Sequence, residues 1–263
     1  MSDAYTGFAA VYNELMDDIP YDAWSARIRD ILQAEGKESG IVCELGCGTG
    51  SLTARLSAAG YDMIGIDNSE DMLDFARESS EDAGILYLCQ DMREFELFGT
   101  VDAVVSACDS INYITDPADL AEVFRLVNNY LETGGLFVFD IHTDHYYRAV
   151  GESTIAEDRD DLSFIWNNFY DEESHINQLD LSLFIREASG LYSKHEETHL
   201  QRGYTLSEIR ELLAASGMIF LAAYDDYSDR PATEDSDRIV IVAKEHTASG
   251  AKKELSDKLG KSS

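Results

Sequence analysis

Hydrophobic and polar positions follow two different periods along this chain of 263 residues. Between Tyr5 and Glu35 the spacing is helical. Phe8, Val11, Tyr12 and Leu15 recur on one face, then Trp24, Ile28, Ile31 and Leu32 on another, which predicts two helices. Pro20 separates them and Gly36 supplies a C-terminal stop. From Gly40 onward, short apolar runs take turns with helical patterns. Runs at 40–45, 61–66, 85–89, 101–106 and 136–141 read as strands. Helices are predicted over 51–59, from a Ser69 cap, and from Asp116-Pro117, where an N-cap precedes a proline at the first helical position. Nearly continuous apolar strands joined by helices imply a parallel sheet covered on both faces.

Between His142 and Tyr204 the pattern changes. Phe164, Trp166, Phe169 and Tyr170 form an aromatic run, and Leu179, Leu181, Leu183 and Ile185 alternate with polar or neutral residues. That alternation marks half-exposed strands, and Ser189-Gly190 marks a turn. Residues 142–204 therefore read as an antiparallel β meander inserted into an α/β domain. Thr205-Leu-Ser-Glu208 is a capping box that opens a helix ending at Gly217. Strands follow at 219–224 and 238–243, separated by an acidic loop over 225–237 that reads as solvated. The expected organisation is N-terminal helices over 1–36, an α/β domain over 37–141 and 205–245, the insertion between them, and a flexible basic tail over 246–263.

Charge changes this picture more than composition does. Lys and Arg total 20 against 51 Asp and Glu, a formal charge of −31. Only the tail runs the other way, with four lysines against Glu254 and Asp257. A surface this acidic repels phosphate backbones and disfavours a nucleic-acid substrate. No apolar run approaches the ~18 residues of a membrane span, and Met1–Tyr12 shows no signal-peptide pattern. Cys43, Cys47, Cys89 and Cys108 form no C-x-x-C pair, so neither a disulfide framework nor a metal site is expected, and a reducing cytoplasm is the simplest location.

The chemistry gathers at the predicted strand ends, where open α/β sheets bind ligands. The first is Glu44-Leu-Gly46-Cys-Gly48-Thr-Gly50. A G-x-G-x-x-G fingerprint would need a glycine at 51, which is Ser51, and Glu44 suits a cationic amino-acid group better than a pyrophosphate. Asp67, 21 residues after Gly46, ends the second strand, where an acid accepts from ribose hydroxyls. Asp91 ends the third, placed to accept from an adenine amino group while the Met92 backbone meets a ring nitrogen. Acids at consecutive strand ends suit a nucleoside without phosphates.

This ordered set resembles the class I S-adenosylmethionine-dependent methyltransferases over 40–141 and again over 205–244. The resemblance implies a Rossmann-like seven-stranded sheet in the order 3-2-1-4-5-7-6, with strand seven antiparallel. It implies S-adenosylmethionine as cofactor and S-adenosylhomocysteine as product. Gly46 and Gly48 would line the methionine part, Asp67 the ribose, and Asp91 and Met92 the adenine, with Glu44, Asn68, Met72 and Cys108 completing the cofactor site. The segment Ala107–Tyr113 would close over the methionine and reach the acceptor. Tyr5-x-x-Phe8-Ala9-x-x-Tyr12 resembles the lid helix of bacterial small-molecule methyltransferases, whose tyrosines cover the cofactor. The β insertion is similar in architecture to that of bacterial sugar-amine methyltransferases.

Methyl transfer is an in-line displacement from a sulfonium, so the nucleophile must be held ~3 Å from the methyl carbon. Aromatic faces favour the cation, and Tyr12, Trp24 and Tyr113 are candidates. Where the nucleophile arrives protonated a base is needed; His142 is the candidate, with Asp109 and Tyr113 as alternatives. The expected activity is methylation of a small-molecule amine, hydroxyl or carboxylate. The alternatives are an RNA or protein methyltransferase, recruited through the basic tail, and a non-catalytic S-adenosylmethionine-binding protein. A remote one is a zinc hydrolase, because His195-Glu196-x-x-His199 matches H-E-x-x-H. That chemistry needs a helix, whereas the flanks read as a strand, which would hold the two histidines on one face but ~13 Å apart. They could instead line a substrate cavity under the insertion. The aromatic run over 164–170 suits either packing on its own domain or a homodimer interface.

Overall fold

The computed structural model describes residues 17–81 and 83–246. The predicted first helix, with Tyr12, and the tail beyond 246 lie outside the described residues. Helix α1 (Tyr21–Ala34) buries Trp24, Ile28, Ile31 and Leu32, the stripe its spacing predicts. Strands β1 (Ile41–Leu45), β2 (Asp62–Asp67), β3 (Leu86–Cys89), β4 (Val101–Ser106) and β5 (Leu131–His142) alternate with α2 (Ser51–Ala58), α3 (Glu70–Ser79) and α4 (Pro117–Tyr130). After the insertion come α6 (Leu206–Ala215), β10 (Ile219–Asp225) and β11 (Arg238–Lys244). These strands form one seven-stranded sheet in the order β3-β2-β1-β4-β5-β11-β10. The pairs from β3 to β5 are parallel, while β11 is antiparallel to β5 and β10. This is the order and polarity that the resemblance implies.

Both faces of the sheet are covered. Phe137, Phe139 and Ile141 of β5 point into a layer with Phe124 of α4 and Ile209 and Leu213 of α6. Leu136 and Val138 point the other way, onto Ile28 and Leu32 of α1 and Leu52 and Leu56 of α2. Asp140 shares that second face and is fully buried. Side-chain caps hold the helix starts as expected. Ser69 accepts from the Met72 N–H, Asp116 from that of Ala118, and Thr205 and Glu208 close the capping box.

The insertion begins with α5 (Asp144–Val150) and continues as β6 (Ser153–Asp158), β7 (Leu162–Asp171), β8 (Ile176–Arg186) and β9 (Tyr192–Arg202). These four strands form an antiparallel sheet in sequence order. Helix α5 was not expected. Thr143 caps it by accepting from the Tyr146 N–H, and Asp144 in its first turn offsets the helix dipole. Strand β5 also starts five residues before the predicted 136. It follows α4 directly, accommodating Gly134 at φ +75°. The two ends of the insertion meet: the Asp144 N–H donates to the Tyr204 carbonyl at 3.2 Å. Leu162, Phe164, Leu179, Leu181 and Leu183 form its apolar face, which packs on Met72 of α3. That contact seats the small sheet over the C-terminal ends of the large one.

Candidate active site at the strand ends

The glycine turn after β1 is shaped by close approach at Gly46 and, among the described residues, by no crowding at Gly48. Gly46 has φ +71°, and a Cβ there would lie 2.6 Å from the Cβ and Oγ of Ser110. Gly48 has φ +53°, and a Cβ there would meet nothing within 4 Å among the described residues. The turn is fastened to β2. The Gly46 and Cys47 N–H groups donate to the Ile66 carbonyl at 2.8 and 3.0 Å. The Gly48 N–H donates to Asp67 Oδ2 at 2.8 Å, and that of Ser69 to Oδ1 at 2.9 Å. Burial raises the Asp67 pKa, and those N–H bonds oppose the rise. A carboxylate can accept about four hydrogen bonds, so these N–H groups leave Asp67 room for a further donor. Asn68 beside it is exposed.

Glu44 lies beneath the turn, 3% exposed, and accepts from the Thr53 hydroxyl. Burial pushes its carboxyl up to about 8, only partly opposed by Thr53. A carboxylate so poorly solvated gains most from a cationic partner. This has a measurable consequence in the free protein. The folded chain holds the Glu44 proton to about pH 8, against an ordinary value of 4.5. The native state thus binds the extra proton across that window, and its stability falls as pH rises from 4.5 to 8, by at most about 1.4 kcal/mol per pH unit. Above the window this contribution is flat. Urea unfolding between pH 5 and 9 should show the decline in the wild type and lose that component in Glu44→Gln. Superimposable profiles would refute the assignment.

At the end of β3, Asp91 is engaged by its neighbour. Arg93 grips both carboxylate oxygens, with Nε 3.0 and 3.1 Å away and NH2 at 2.5 Å from Oδ2, and its N–H adds a bond at 2.8 Å. The pair holds the Asp91 carboxyl below its ordinary value. Met92 reaches back toward the glycine turn; its Cε lies 3.5 Å from where a Gly46 Cβ would stand. Met72 is buried where α3 meets the insertion.

The segment after β4 carries backbone strain. Cys108 and Asp109 are consecutive non-glycine residues at φ +59° and +51°, a conformation that costs on the order of 1–3 kcal/mol per residue and persists only where neighbours enforce it. The neighbours are identifiable. The Asp109 N–H donates to Asp140 Oδ1 at 2.8 Å. Its carboxylate accepts from Arg238 at 2.9 Å and from Gln201 of β9 at 2.8 Å. Tyr21 of α1 interacts with Cys108, and burial followed by that contact raises the Tyr21 pKa. Three residues on, the fully buried Asn112 donates to the His142 and Arg202 carbonyls at 2.8 and 2.7 Å and accepts from the His142 N–H at 3.0 Å. One side chain thus ties the post-β4 turn to both ends of the insertion.

Arg238 is the centre of this network. It pairs with Asp140 and Asp109, donates toward His142 Nε2, and lies 5.1 Å over the Trp24 ring, which stacks on Tyr227 at 4.4 Å. The Tyr227 hydroxyl donates to Asp140 Oδ2 at 3.0 Å. Trp24 does present a face to a cation, but the cation is the protein's own. Burial, then the Arg238 charge, drives the His142 pKa down to about 3. With Nε2 turned to a guanidinium, His142 accepts a hydrogen bond and has no room for a proton at neutral pH. That geometry argues against the base role expected of it.

Strand β9 completes the site. Its register sets His195, Glu197, His199 and Gln201 opposite Leu183, Leu181, Leu179 and Asn177, on the insertion's inward face. The Tyr113 hydroxyl lies 3.4 Å from His199 Nδ1, and His199 Nε2 lies 3.1 Å from Glu197 Oε2. His195 and His199 are therefore strand residues, without the helix an H-E-x-x-H zinc site requires. Sequence reasoning missed Asp140, Arg238, Tyr227, Glu197 and Gln201. A lone acid between Phe139 and Ile141 was the one local signal among them.

The residues present fit an adenosyl sulfonium cofactor. Among the described residues nothing crowds Gly48, Asp67 stands at the strand end where the resemblance expects the ribose, and a buried carboxylate under the turn suits an amino-acid cation. No helix among the described residues is long and apolar enough to cross a membrane.

Comparisons with known proteins agree with this geometry. A methyltransferase domain model matches residues 42–135. YqeM of Bacillus subtilis (strain 168), named as a methyltransferase, is 38% identical over 244 residues, covering 91% of this chain and 96% of that one. A Streptomyces venezuelae enzyme named dTDP-3-amino-3,4,6-trideoxy-alpha-D-glucopyranose N,N-dimethyltransferase is 31% identical over 120 residues, 46% of this chain and 50% of its own. The crystal structure of an S-adenosylmethionine-dependent methyltransferase from Clostridium acetobutylicum ATCC 824 superposes with a TM-score of 0.83 at 27% identity, covering 93% of this chain and 100% of the other.

Proposed function

Because the chain belongs to the class I S-adenosylmethionine-dependent methyltransferases, we propose that its acceptor is an amine on a small molecule. Bound S-adenosylmethionine supplies an electrophilic methyl group; the acceptor's identity is set by what surrounds the strand ends. The observation that carries the reading is the roof over the acceptor side. Gln201 of β9 reaches Asp109 at 2.8 Å, and His199 meets Tyr113. The insertion thus stands directly on the post-β4 turn, and an acceptor reaching the strand ends must fit beneath it, which favours a small molecule.

The charge there favours an amine. Asp109, Asp140 and Glu197 outnumber Arg238 around the post-β4 turn, and Arg238 is matched by two of them and offers no free positive charge. A carboxylate acceptor would be repelled there, and an amine drawn in as its ammonium form. The segment shared with the Streptomyces venezuelae enzyme, whose name specifies an amino-sugar nitrogen, supports the same class. The net charge of −31 adds a barrier to RNA.

The test is release of S-adenosylhomocysteine by the full-length protein against nucleotide-linked amino sugars, simple primary amines, the matching hydroxy sugars, tRNA and peptides. Turnover confined to amines is expected. Turnover of hydroxy sugars alone, or of tRNA or peptide alone, overturns the proposal. Tight S-adenosylmethionine binding with no turnover across the panel points to a non-catalytic binding protein.

A further inference from the structure

Glu197 is an odd residue for its position. It lies opposite Leu181 on the insertion's inward face, with a side chain only 10% exposed. A carboxylate in such a place is costly unless its oxygens are used. Oε2 meets His199 Nε2 at 3.1 Å, and Oε1 has no hydrogen-bond partner among the described residues.

This contact fixes the neighbouring imidazole. An ionised carboxylate only accepts, so the shared hydrogen belongs to His199 Nε2. Nδ1 then carries the lone pair and faces the Tyr113 hydroxyl, which can only donate to it. Tyr113 stands on the turn after β4, at the C-terminal edge of the large sheet, and is 47% exposed. The same turn is tied to the glycine turn, since the Ser110 hydroxyl donates to the Gly46 carbonyl at 3.3 Å, so the Tyr113 hydroxyl meets the histidine on a segment that borders both. Nearby, His142 is held by Arg238, and Asp109 by Arg238 and Gln201.

We propose that β9 supplies the proton acceptor for methyl transfer. Glu197 sets the tautomer of His199, and His199 takes the Tyr113 hydroxyl proton as Tyr113 takes one from the acceptor. The inference rests on the amine reading above, since an ammonium has no lone pair and must lose a proton before it can attack. The balance is simple. An acceptor N–H bond breaks and the Tyr113 O–H bond is remade, while the original Tyr113 proton forms an N–H bond at His199 Nδ1. The resulting imidazolium is held on its other side by the Glu197 carboxylate and later returns the proton to water. Tyr113 touches the substrate and is the catalytic residue; Glu197 is a positioning residue. The 3.4 Å spacing is within reach of a catalytic hydrogen bond.

The test begins with full-length protein labelled with 15N-histidine. Long-range proton–nitrogen correlation spectra report which His199 nitrogen carries hydrogen, with His199→Gln giving the assignment. The Nε2–H tautomer is expected in the wild type, a tautomer mixture in Glu197→Ala, and recovery in Glu197→Gln, whose amide oxygen can still accept. An Nδ1–H tautomer in the wild type, or no change in Glu197→Ala, overturns the proposal. With an amine found in the screen, Tyr113→Phe and His199→Gln should each lower kcat at least ~100-fold with the KM for S-adenosylmethionine unchanged; wild-type kcat in either also overturns it. Calorimetry with S-adenosylhomocysteine on the same samples separates the premises. No binding by the wild type would remove the cofactor reading while leaving the tautomer result intact. Turnover of hydroxyls alone would remove the amine reading only.

Discussion

Arg238→Ala is expected to cost about 3–5 kcal/mol of folding stability, because it strands a charge that nothing else neutralises. Asp140 has no side-chain exposure and Arg238 only 13%. Removing the guanidinium leaves a bare carboxylate on the buried face of β5 and deletes the contacts to Asp109, His142 and Trp24. The Asp109 N–H and the Tyr227 hydroxyl still reach Asp140, so the site loses its counter-charge while keeping its donors. The left-handed pair Cys108-Asp109 loses one of its restraints at the same time. Urea unfolding followed by circular dichroism measures the loss. The double variant Asp140→Asn/Arg238→Met should recover more than half of it, since the penalty comes mainly from the unpaired charge. A single variant within about 1 kcal/mol of wild type would mean the pair is effectively solvated.

The same network marks the boundary of what sequence reasoning could see. The large sheet was legible because parallel strands buried on both faces read as continuous apolar runs, and caps such as Asp116 and Thr205 mark helix starts within a few residues. The small sheet was legible because Leu179, Leu181 and Leu183 alternate at the period of a strand with one buried face. Helix α5 was missed because Asp144-His-Tyr-Tyr-Arg has no apolar stripe; its cap and its contacts with His142 hold it.

Site residues divide along a similar line. Glycines and acids at strand ends announce themselves locally, because the turn needs positive φ and the acids directly follow apolar runs. Arg238 does not. It reaches Asp140 and His142 through the β5–β11 register, which pairs residues about a hundred positions apart. Glu197 likewise gains its meaning from facing Leu181 and standing two residues from His199 on a strand. The H-E-x-x-H string drew attention to this stretch under helical spacing. Strand geometry links His199 to Glu197, two positions back on the same face, and puts Glu196 on the other.

Asp67→Ala is expected to weaken S-adenosylhomocysteine binding by roughly tenfold to 150-fold, the range for hydrogen bonds to a charged group, about 1.5–3 kcal/mol. Two losses combine. The carboxylate expected to accept from the ribose hydroxyls disappears, and the Gly48 and Ser69 N–H groups lose the acceptor that fastens the glycine turn to β2. Asp67→Asn should fall between, because its amide keeps one accepting oxygen and presents a donor to an N–H with the other arm. Asp91→Ala should cost less than Asp67→Ala. Asp91 is already bound by Arg93 through both oxygens, so part of what it offers adenine must first be withdrawn from that pair. Calorimetry on the four proteins, each checked for an unchanged melting temperature, tests the ranking as well as the magnitude. Wild-type affinity in Asp67→Ala would place the ribose elsewhere. Equal losses at Asp67 and Asp91 would show that the Arg93 pair opens without cost when the nucleoside binds.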